Sequence, residues 1–137
     1  KGLGGGLPIG ACLFGEKTEN VLTAGTHGST FGGNPVVCAG ALTILDRIDD
    51  KLLADVKAKS AYLFEAFTGA PGIKAVTGMG LMIGLQTEKP AAEDVAACMA
   101  NGVLVLTAHG RVRLLPALNI PMELVKKAAE VIRAACA

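Results

Sequence analysis

Three groups of residues in this sequence could take part in chemistry: a lysine before a glycine-rich run, a loop of hydroxyl side chains, and an arginine in an apolar stretch. Lys1 precedes the run GLGGGLPIG. An amine in a desolvated pocket loses its proton readily and can form a Schiff base with an aldehyde, while glycines let a planar ring lie close to the backbone. A lysine beside glycines is more often a solvated surface charge, so Lys1 is only a candidate on its own.

The loop GTHGSTFGGNP, residues 25 to 35, carries the hydroxyl groups of Thr26, Ser29 and Thr30 and ends where a helix should begin. Hydroxyl groups, unhindered backbone N–H groups and a helix N-terminus together suit a phosphate group. A polar loop with an ordinary helix cap explains the same residues equally well. His27, taken alone, is more typical of a structural hydrogen bond than of an acid or a base.

Arg113 stands in a strand-like stretch with apolar neighbours and is followed by Leu-Leu-Pro. Its planar guanidinium group could bind a substrate carboxylate through two parallel hydrogen bonds. An arginine on the outer surface of a strand is the simpler interpretation.

Composition favours a globular chain and excludes several classes of partner. Of the 137 residues, 51% are hydrophobic and 18% are charged, which is enough apolar side chain for a core. The net charge is +1 and the lysines are scattered, so the sequence has no basic patch that would bind nucleic acid. No apolar run is long enough to span a membrane. The cysteines lack metal-ligand spacing, so we expect no metal, reduced thiols and a cytoplasmic location. They are Cys12, Cys38, Cys98 and Cys136.

Residues 1 to 48 do not contain enough elements to close a core. We predict a short buried strand at residues 10 to 14, a helical turn at 16 to 21, and a helix that is capped by Asn34, begins at Pro35 and runs to about Ile48. One strand and one helix cannot bury their own apolar faces, so this part is predicted to be the tail of a larger α/β domain.

Residues 49 to 137 are predicted to form a small α/β domain with an antiparallel or mixed sheet. Capping residues and apolar periodicity predict helices at 50 to 67, 90 to 100 and 121 to 135. Short apolar runs between turns predict strands at 73 to 77, 81 to 86, 103 to 107 and 112 to 115, with the first two joined by a turn at residues 78 to 80.

Taken together, three segments resemble class III pyridoxal-phosphate-dependent aminotransferases. They are KGLGGGLPIGA at residues 1 to 11, GTHGSTFGGNP at 25 to 35 and RLLPALNI at 113 to 120. They occur in the family's order and at plausible spacing, and the match spans essentially the whole chain. TFGGNP is typical of this class, and the longer GTHGSTFGGNP is closer to the acetylornithine and ornithine branches than to the glutamate-semialdehyde branch.

The resemblance implies a fold-type I transferase and a role for each candidate residue. Lys1 would hold pyridoxal 5'-phosphate covalently and move protons between the substrate α-carbon and the cofactor. Thr30 would bind the cofactor phosphate in the active site of the partner subunit of a homodimer, and Ser29 would contact the substrate at the same interface. Arg113 would hold the α-carboxylate shared by the amino-acid substrate and 2-oxoglutarate.

The activity implied by the acetylornithine branch is transfer of an amino group between N-acetylornithine and 2-oxoglutarate, in arginine biosynthesis. Ornithine, succinylornithine and 4-aminobutyrate are alternative donors within the class. The family's phosphate loop, its ring-stacking aromatic, its substrate-binding arginine and its acid for the pyridine nitrogen would precede the lysine. We therefore expect a C-terminal part of a longer enzyme that is inactive on its own and binds the cofactor weakly or not at all. A noncatalytic folded fragment is the remaining alternative.

Overall fold

The structure, a computed structural model, describes residues 2–137 and consists of two compact units. The first unit ends at Asp49 and the second begins at Asp50. Each is described below by itself.

The first unit contains one regular element, helix α1 (Pro35–Leu45), and it begins where the sequence predicts. The side chain of Asn34 accepts hydrogen bonds from the backbone N–H groups of Val36 (3.0 Å) and Val37 (3.3 Å). Asn34 therefore caps the helix, and Pro35 occupies the first turn, where a proline's missing N–H group costs nothing.

The predicted end of α1 is wrong by three residues. After Leu45 the amides of Arg47 and Ile48 bond to carbonyls three residues back, at Ile44 (3.1 Å) and Leu45 (3.0 Å). Such bonds tighten the last turn of a helix and supply partners for its final carbonyl groups.

The predicted strand at residues 10 to 14 is also wrong. These residues have no regular structure and are exposed, and Leu13 is 89% accessible to solvent. A strand needs a hydrogen-bonded neighbour, and residues 2–49 provide none. The turn predicted at residues 16 to 21 is confirmed, since the amides of Thr18 (2.9 Å) and Val21 (3.1 Å) each bond three residues back.

The second unit alternates helices with pairs of strands. Its elements are α2 (Asp50–Phe67), β1 (Ile73–Met79), β2 (Met82–Thr87), α3 (Ala91–Ala100), β3 (Leu106–Ala108), β4 (Arg111–Leu114) and α4 (Met122–Cys136). The strands form one sheet in the order β1-β2-β4-β3, and every pair is antiparallel. The predicted helices and the small α/β sheet are confirmed, and β3 is shorter at its start than predicted.

Two tight hairpins set the register of this sheet. Between β3 and β4, His109 (φ 48°) and Gly110 (φ 72°) both have positive φ, as a type I′ turn requires. Between β1 and β2 the predicted turn at residues 78 to 80 is displaced, because Met79 pairs with Met82 and the loop begins at Gly80. Gly78 belongs to the strand, and a Cβ atom there would lie 2.0 Å from the carbonyl oxygen of Met82.

The helices cover one face of the sheet. Strand side chains on that face are buried, and they belong to Ile83, Leu85, Val112 and Leu114. The core also includes Leu63 and Phe67 from α2, Cys98 from α3 and Ile132 from α4. Because side chains alternate along a strand, Gly84, Arg111 and Arg113 face the side that the helices leave open. None of the helices in residues 2–137 is long and apolar enough to cross a membrane.

Candidate functional site

The glycine-rich run that follows Lys1 is held against α1. Lys1 itself lies outside the described residues. A Cβ atom at Gly40 would lie 2.6 Å from Cδ1 of Leu7, so the bare glycine leaves room for the leucine side chain. Gly5 (φ 59°) approaches Ile44 in the same way, since a Cβ atom there would lie 3.0 Å from Cδ1 of Ile44. Helix α1 therefore supports the segment next to the candidate lysine.

The loop of hydroxyl side chains is exposed and is organised by local turns. The amide of Gly32 bonds to the carbonyl of Ser29 (3.3 Å), and Thr26 Oγ1 donates to the carbonyl of Thr23 (2.7 Å). The hydroxyl groups of Ser29 and Thr30 make no hydrogen bond to any residue from 2 to 137. They are therefore the two hydroxyl groups of this loop that are available to a ligand.

The first backbone N–H groups of the helix next to this loop already have a hydrogen-bond partner. Asn34 Oδ1 accepts from the first amides of α1, which is the ordinary helix cap that the sequence left as an alternative. Any phosphate contact here would come from Ser29, Thr30 and loop amides. Those groups fit one edge of a phosphate group but not a whole pyridoxal phosphate, whose ring and nitrogen need further partners.

Arg113 lies on β4, where it is paired with Gly84 of β2 on the open face of the sheet. Its Nε atom is buried and has no hydrogen-bond partner among the described residues. The ion pair found within residues 2–137 joins Lys59 to Asp55, so no carboxylate in that range neutralises Arg113. A buried N–H group without a partner costs free energy, and an anionic ligand would remove that cost.

A concavity of about 360 Å³ surrounds this arginine. Its wall is formed by residues of all four strands and of the β3–β4 turn, and it includes no Asp or Glu: Thr77, Gly78, Met79, Met82, Ile83, Gly84, Ala108, His109, Arg111 and Arg113. The volume suits a small molecule, and two guanidinium groups without a carboxylate give the surface a positive potential.

Arg111 was not predicted as a site residue. It lies two positions before Arg113 on β4, and residues two apart on a strand point to the same face. Its Nη1 atom donates to Thr77 Oγ1 on β1 over 2.6 Å. Arg111 immediately precedes the strand predicted at residues 112 to 115, and the arginine pair at this spacing was the sequence signal that could have identified it.

A separate cluster of ionisable groups lies among the helices and not on the open face. Burial is the main cause that raises the pKa of the Cys136 thiol, to about 12, and the charges of Asp94 and Cys98 raise it further. Burial and Asp94 also raise the pKa of Cys98. Both carboxylate oxygens of Asp94 are buried without a hydrogen-bond partner in the described chain. Within residues 2–137 no group of three His, Cys, Asp or Glu side chains could hold a metal ion.

The structure therefore groups the predicted site residues into two sets. Ser29 and Thr30 are neighbours on the exposed loop of the first unit, and Arg113 lies on the open sheet face of the second.

Comparison with known proteins identifies the class to which this chain belongs. The family model described as aminotransferase class-III matches residues 1–136, and the chain is a member of that family. The acetylornithine aminotransferase of Haemophilus ducreyi is 42% identical over 134 residues, which are 96% of this chain and 34% of that protein. The chain thus spans about a third of the length of the curated relatives it matches.

Solved structures agree with this assignment. An ornithine delta-aminotransferase of Plasmodium falciparum is 29% identical and superposes with a TM-score of 0.78 over 98% of this chain and 38% of its own. An ornithine aminotransferase of Toxoplasma gondii, solved with pyridoxal phosphate at partial occupancy in its active site, is 33% identical, with a TM-score of 0.69 over 85% of this chain and 30% of its own. The predicted fold class is confirmed.

Proposed function

We propose that this chain is the C-terminal part of a pyridoxal-phosphate-dependent aminotransferase that moves an amino group between N-acetylornithine and 2-oxoglutarate. The observation that carries the proposal is the buried, unpartnered Nε atom of Arg113 in a concavity without acidic residues. Both substrates present an α-carboxylate, and a planar guanidinium group binds such a group bidentately. The names of the curated relatives favour the acetylornithine branch.

Each candidate residue then has a defined task. Arg113 fixes the α-carboxylate and thereby the orientation of the substrate. Lys1 takes the proton from the substrate α-carbon and returns it later, which requires its amine to be neutral when it acts. Thr30 donates a hydrogen bond to the cofactor phosphate across the interface of a homodimer, and Ser29 contacts the amino donor at that interface. When bound, pyridoxal phosphate supplies an electron sink for the substrate carbanion.

The complete enzyme would work as a cytoplasmic homodimer in arginine biosynthesis. The 137-residue chain by itself should be inactive and should bind the cofactor weakly, since Ser29 and Thr30 supply only one edge of a phosphate site. Ornithine as the amino donor is a second candidate, and it is favoured by the likeness to the Plasmodium falciparum ornithine delta-aminotransferase at a TM-score of 0.78.

Two substitutions in the complete polypeptide test this proposal. Lys1→Ala should abolish both transamination and the visible absorbance of the bound cofactor. Arg113→Lys should weaken the amino donor and 2-oxoglutarate together, by roughly 2 to 4 kcal/mol of transition-state binding, because both use the same planar group. Steady-state kinetics with N-acetylornithine and with ornithine would separate the two donors.

Normal transamination by Lys1→Ala would refute the assignment of Lys1. Unchanged kinetics of Arg113→Lys for both substrates would return Arg113 to the role of a surface arginine. A complete polypeptide without aminotransferase activity would leave the noncatalytic alternative.

A further inference from the structure

The open face of the sheet carries a row of paired residues that crosses all four strands. Thr77 of β1 pairs with Gly84 of β2. Arg113 of β4 pairs with Gly84 on one side and with Leu106 of β3 on the other. Directly paired residues point to the same face of a sheet. Arg113 therefore has a leucine side chain on one side and, on the other, the gap left by a residue without a side chain.

The side chain of Arg111 fills this gap. A Cβ atom built on Gly84 would lie 3.4 Å from Cδ and 3.9 Å from Cβ of Arg111, which is ordinary van der Waals contact. The hydrocarbon stem of Arg111 thus takes the place that a side chain at position 84 would occupy. Without this stem Arg113 would be free to lie over the bare backbone of β2, because a long side chain has many rotamers.

Thr77 holds the charged end of the Arg111 side chain away from β4. Nη1 of Arg111 donates to Thr77 Oγ1 over 2.6 Å, and that hydroxyl group donates in turn to the carbonyl of Gly84 (3.2 Å). Strand β1 is two strands away from β4, which is about 10 Å at the usual spacing. The charge of Arg111 is thus drawn toward β1, and its uncharged stem is the part that fills the gap beside Arg113.

Polar contacts do not hold the Arg113 side chain in place. Its Nε atom is buried and has no hydrogen-bond partner in the part of the chain that the structure describes. No carboxylate within residues 2–137 forms an ion pair with it. The packing of neighbouring side chains must therefore restrict its rotamers, and the stem of Arg111 is the neighbour that occupies the gap at Gly84.

We propose that Arg111 is a positioning residue for Arg113. Its stem, held over Gly84 by the bond to Thr77, keeps the Arg113 guanidinium group in the concavity, where a carboxylate can reach it. The inference rests on the proposed function, which assigns the substrate α-carboxylate to Arg113, and it gives Arg111 no contact with the substrate. A side chain that is already restricted loses less conformational freedom when a ligand binds, so the affinity for carboxylate substrates is higher.

Nuclear magnetic resonance of the 137-residue chain tests the positioning without cofactor or substrate. The heteronuclear Overhauser effect at Nε of Arg113 reports the rigidity of that side chain, and its signal is assigned from its loss in Arg113→Lys. We expect a rigid Nε in the unsubstituted chain and a mobile one in Arg111→Ala. Arg111→Met keeps an unbranched stem without the charge and should restore most of the lost rigidity. Arg133→Ala is the matched control, because it removes an exposed arginine from α4, outside the concavity.

Steady-state kinetics of the complete polypeptide separates positioning from a general loss of structure. Arg111→Ala should raise KM for N-acetylornithine and for 2-oxoglutarate together, by about threefold to tenfold, the effect of ordering one long side chain on binding. A loss of folded enzyme would instead lower the apparent kcat and leave KM unchanged. Arg111→Met should regain most of the lost affinity for both substrates, because it keeps the stem.

The inference is overturned if Nε of Arg113 stays rigid in Arg111→Ala, if Arg111→Met is as mobile as Arg111→Ala, or if Arg133→Ala loses as much rigidity. Its failure can be told apart from failure of the proposed function. If Nε behaves as expected while the complete polypeptide carries out no transamination, the proposed function is wrong and the positioning of Arg113 is kept. If Arg113→Lys weakens both substrates while Arg111→Ala leaves both KM values unchanged, the inference is wrong and the role of Arg113 is kept.

Discussion

The Nη1 atom of Arg111 donates a 2.6 Å hydrogen bond to Oγ1 of Thr77, and the two residues lie on strands β4 and β1 with β2 between them. The bond crosses the sheet above Gly84, where no side chain intervenes. The bond thus restricts the rotamers of Arg111 and holds its guanidinium group next to Thr77. Thr77, which lies two strands away, therefore sets the position of the Arg111 guanidinium group.

Substitution of Thr77 by valine should release the Arg111 side chain and lower stability without removing either arginine. Valine keeps the shape of threonine and removes the acceptor, so Arg111 loses its fixed position. We expect the free energy of unfolding to fall by about 1 kcal/mol, as measured by urea unfolding. Thr107→Val makes the same chemical change on β3 outside the concavity and is the control. An unchanged free energy of unfolding in Thr77→Val would mean that this bond does not stabilise the sheet.

Two glycines with nearly the same φ angle should differ sharply in their tolerance of alanine. Gly69 (φ 73°) has open space around a built Cβ atom, whereas at Gly72 (φ 75°) that atom would lie 1.8 Å from the carbonyl oxygen of Cys136. Gly69→Ala should lower the free energy of unfolding by about 1 to 2 kcal/mol, the cost of the left-handed conformation. Gly72→Ala should cost about 3 kcal/mol or more, because backbone must move. Urea unfolding measures both, and similar losses would contradict the predicted clash.

The buried thiols should reduce stability at high pH. The pKa of Cys136 is raised from 9.0 to about 12 in the folded chain, so the folded state holds its proton more tightly than the unfolded state. The resulting stabilisation is fully present below pH 9.0 and is lost as the pH rises toward about 12. Unfolding measured across this window should show the free energy of unfolding falling less steeply in Cys136→Ala.

The charge of Asp94 contributes to the raised pKa of both buried thiols, after burial itself. Asp94→Asn should therefore move thiolate formation to lower pH, as followed by ultraviolet absorbance in a chain with Cys12→Ser and Cys38→Ser. Glu130→Gln removes an exposed carboxylate from α4 and should have no such effect. Identical titrations of this double-serine chain with and without Asp94→Asn would show that the charge of Asp94 does not contribute to these pKa values.

Thr30 should act on the active site of the partner subunit in the proposed homodimer. The loop is exposed, and Phe31 next to Thr30 is 81% accessible to solvent, so a covering surface would stabilise it. Complete enzymes with only Lys1→Ala or only Thr30→Ala should each have low activity, while mixed dimers should regain one intact site. Co-expression of differently tagged subunits allows the mixed dimers to be purified and assayed. Mixed dimers no more active than the weaker homodimer would place Thr30 in the site of its own subunit.

The sequence by itself determined the start of α1 in the first unit and the helices and strands of the second. Pro35 with Asn34 marks the start of α1, and the turns with glycine separate strands whose apolar residues alternate. These signals are local, because caps and turns depend on a few neighbouring residues. The same locality explains the errors: residues 10 to 14 have strand-like composition, but a strand exists only with a partner, and residues 2–49 contain none.

Only the tertiary structure decided which polar residues share a surface. The sequence singled out Arg113 and missed Arg111, although the two lie on the same strand. Their common site depends on Gly84 and Thr77, which belong to two other strands and come together only when the sheet forms. Short-range sequence patterns determine the helices and strands, whereas strand order and register determine which side chains meet.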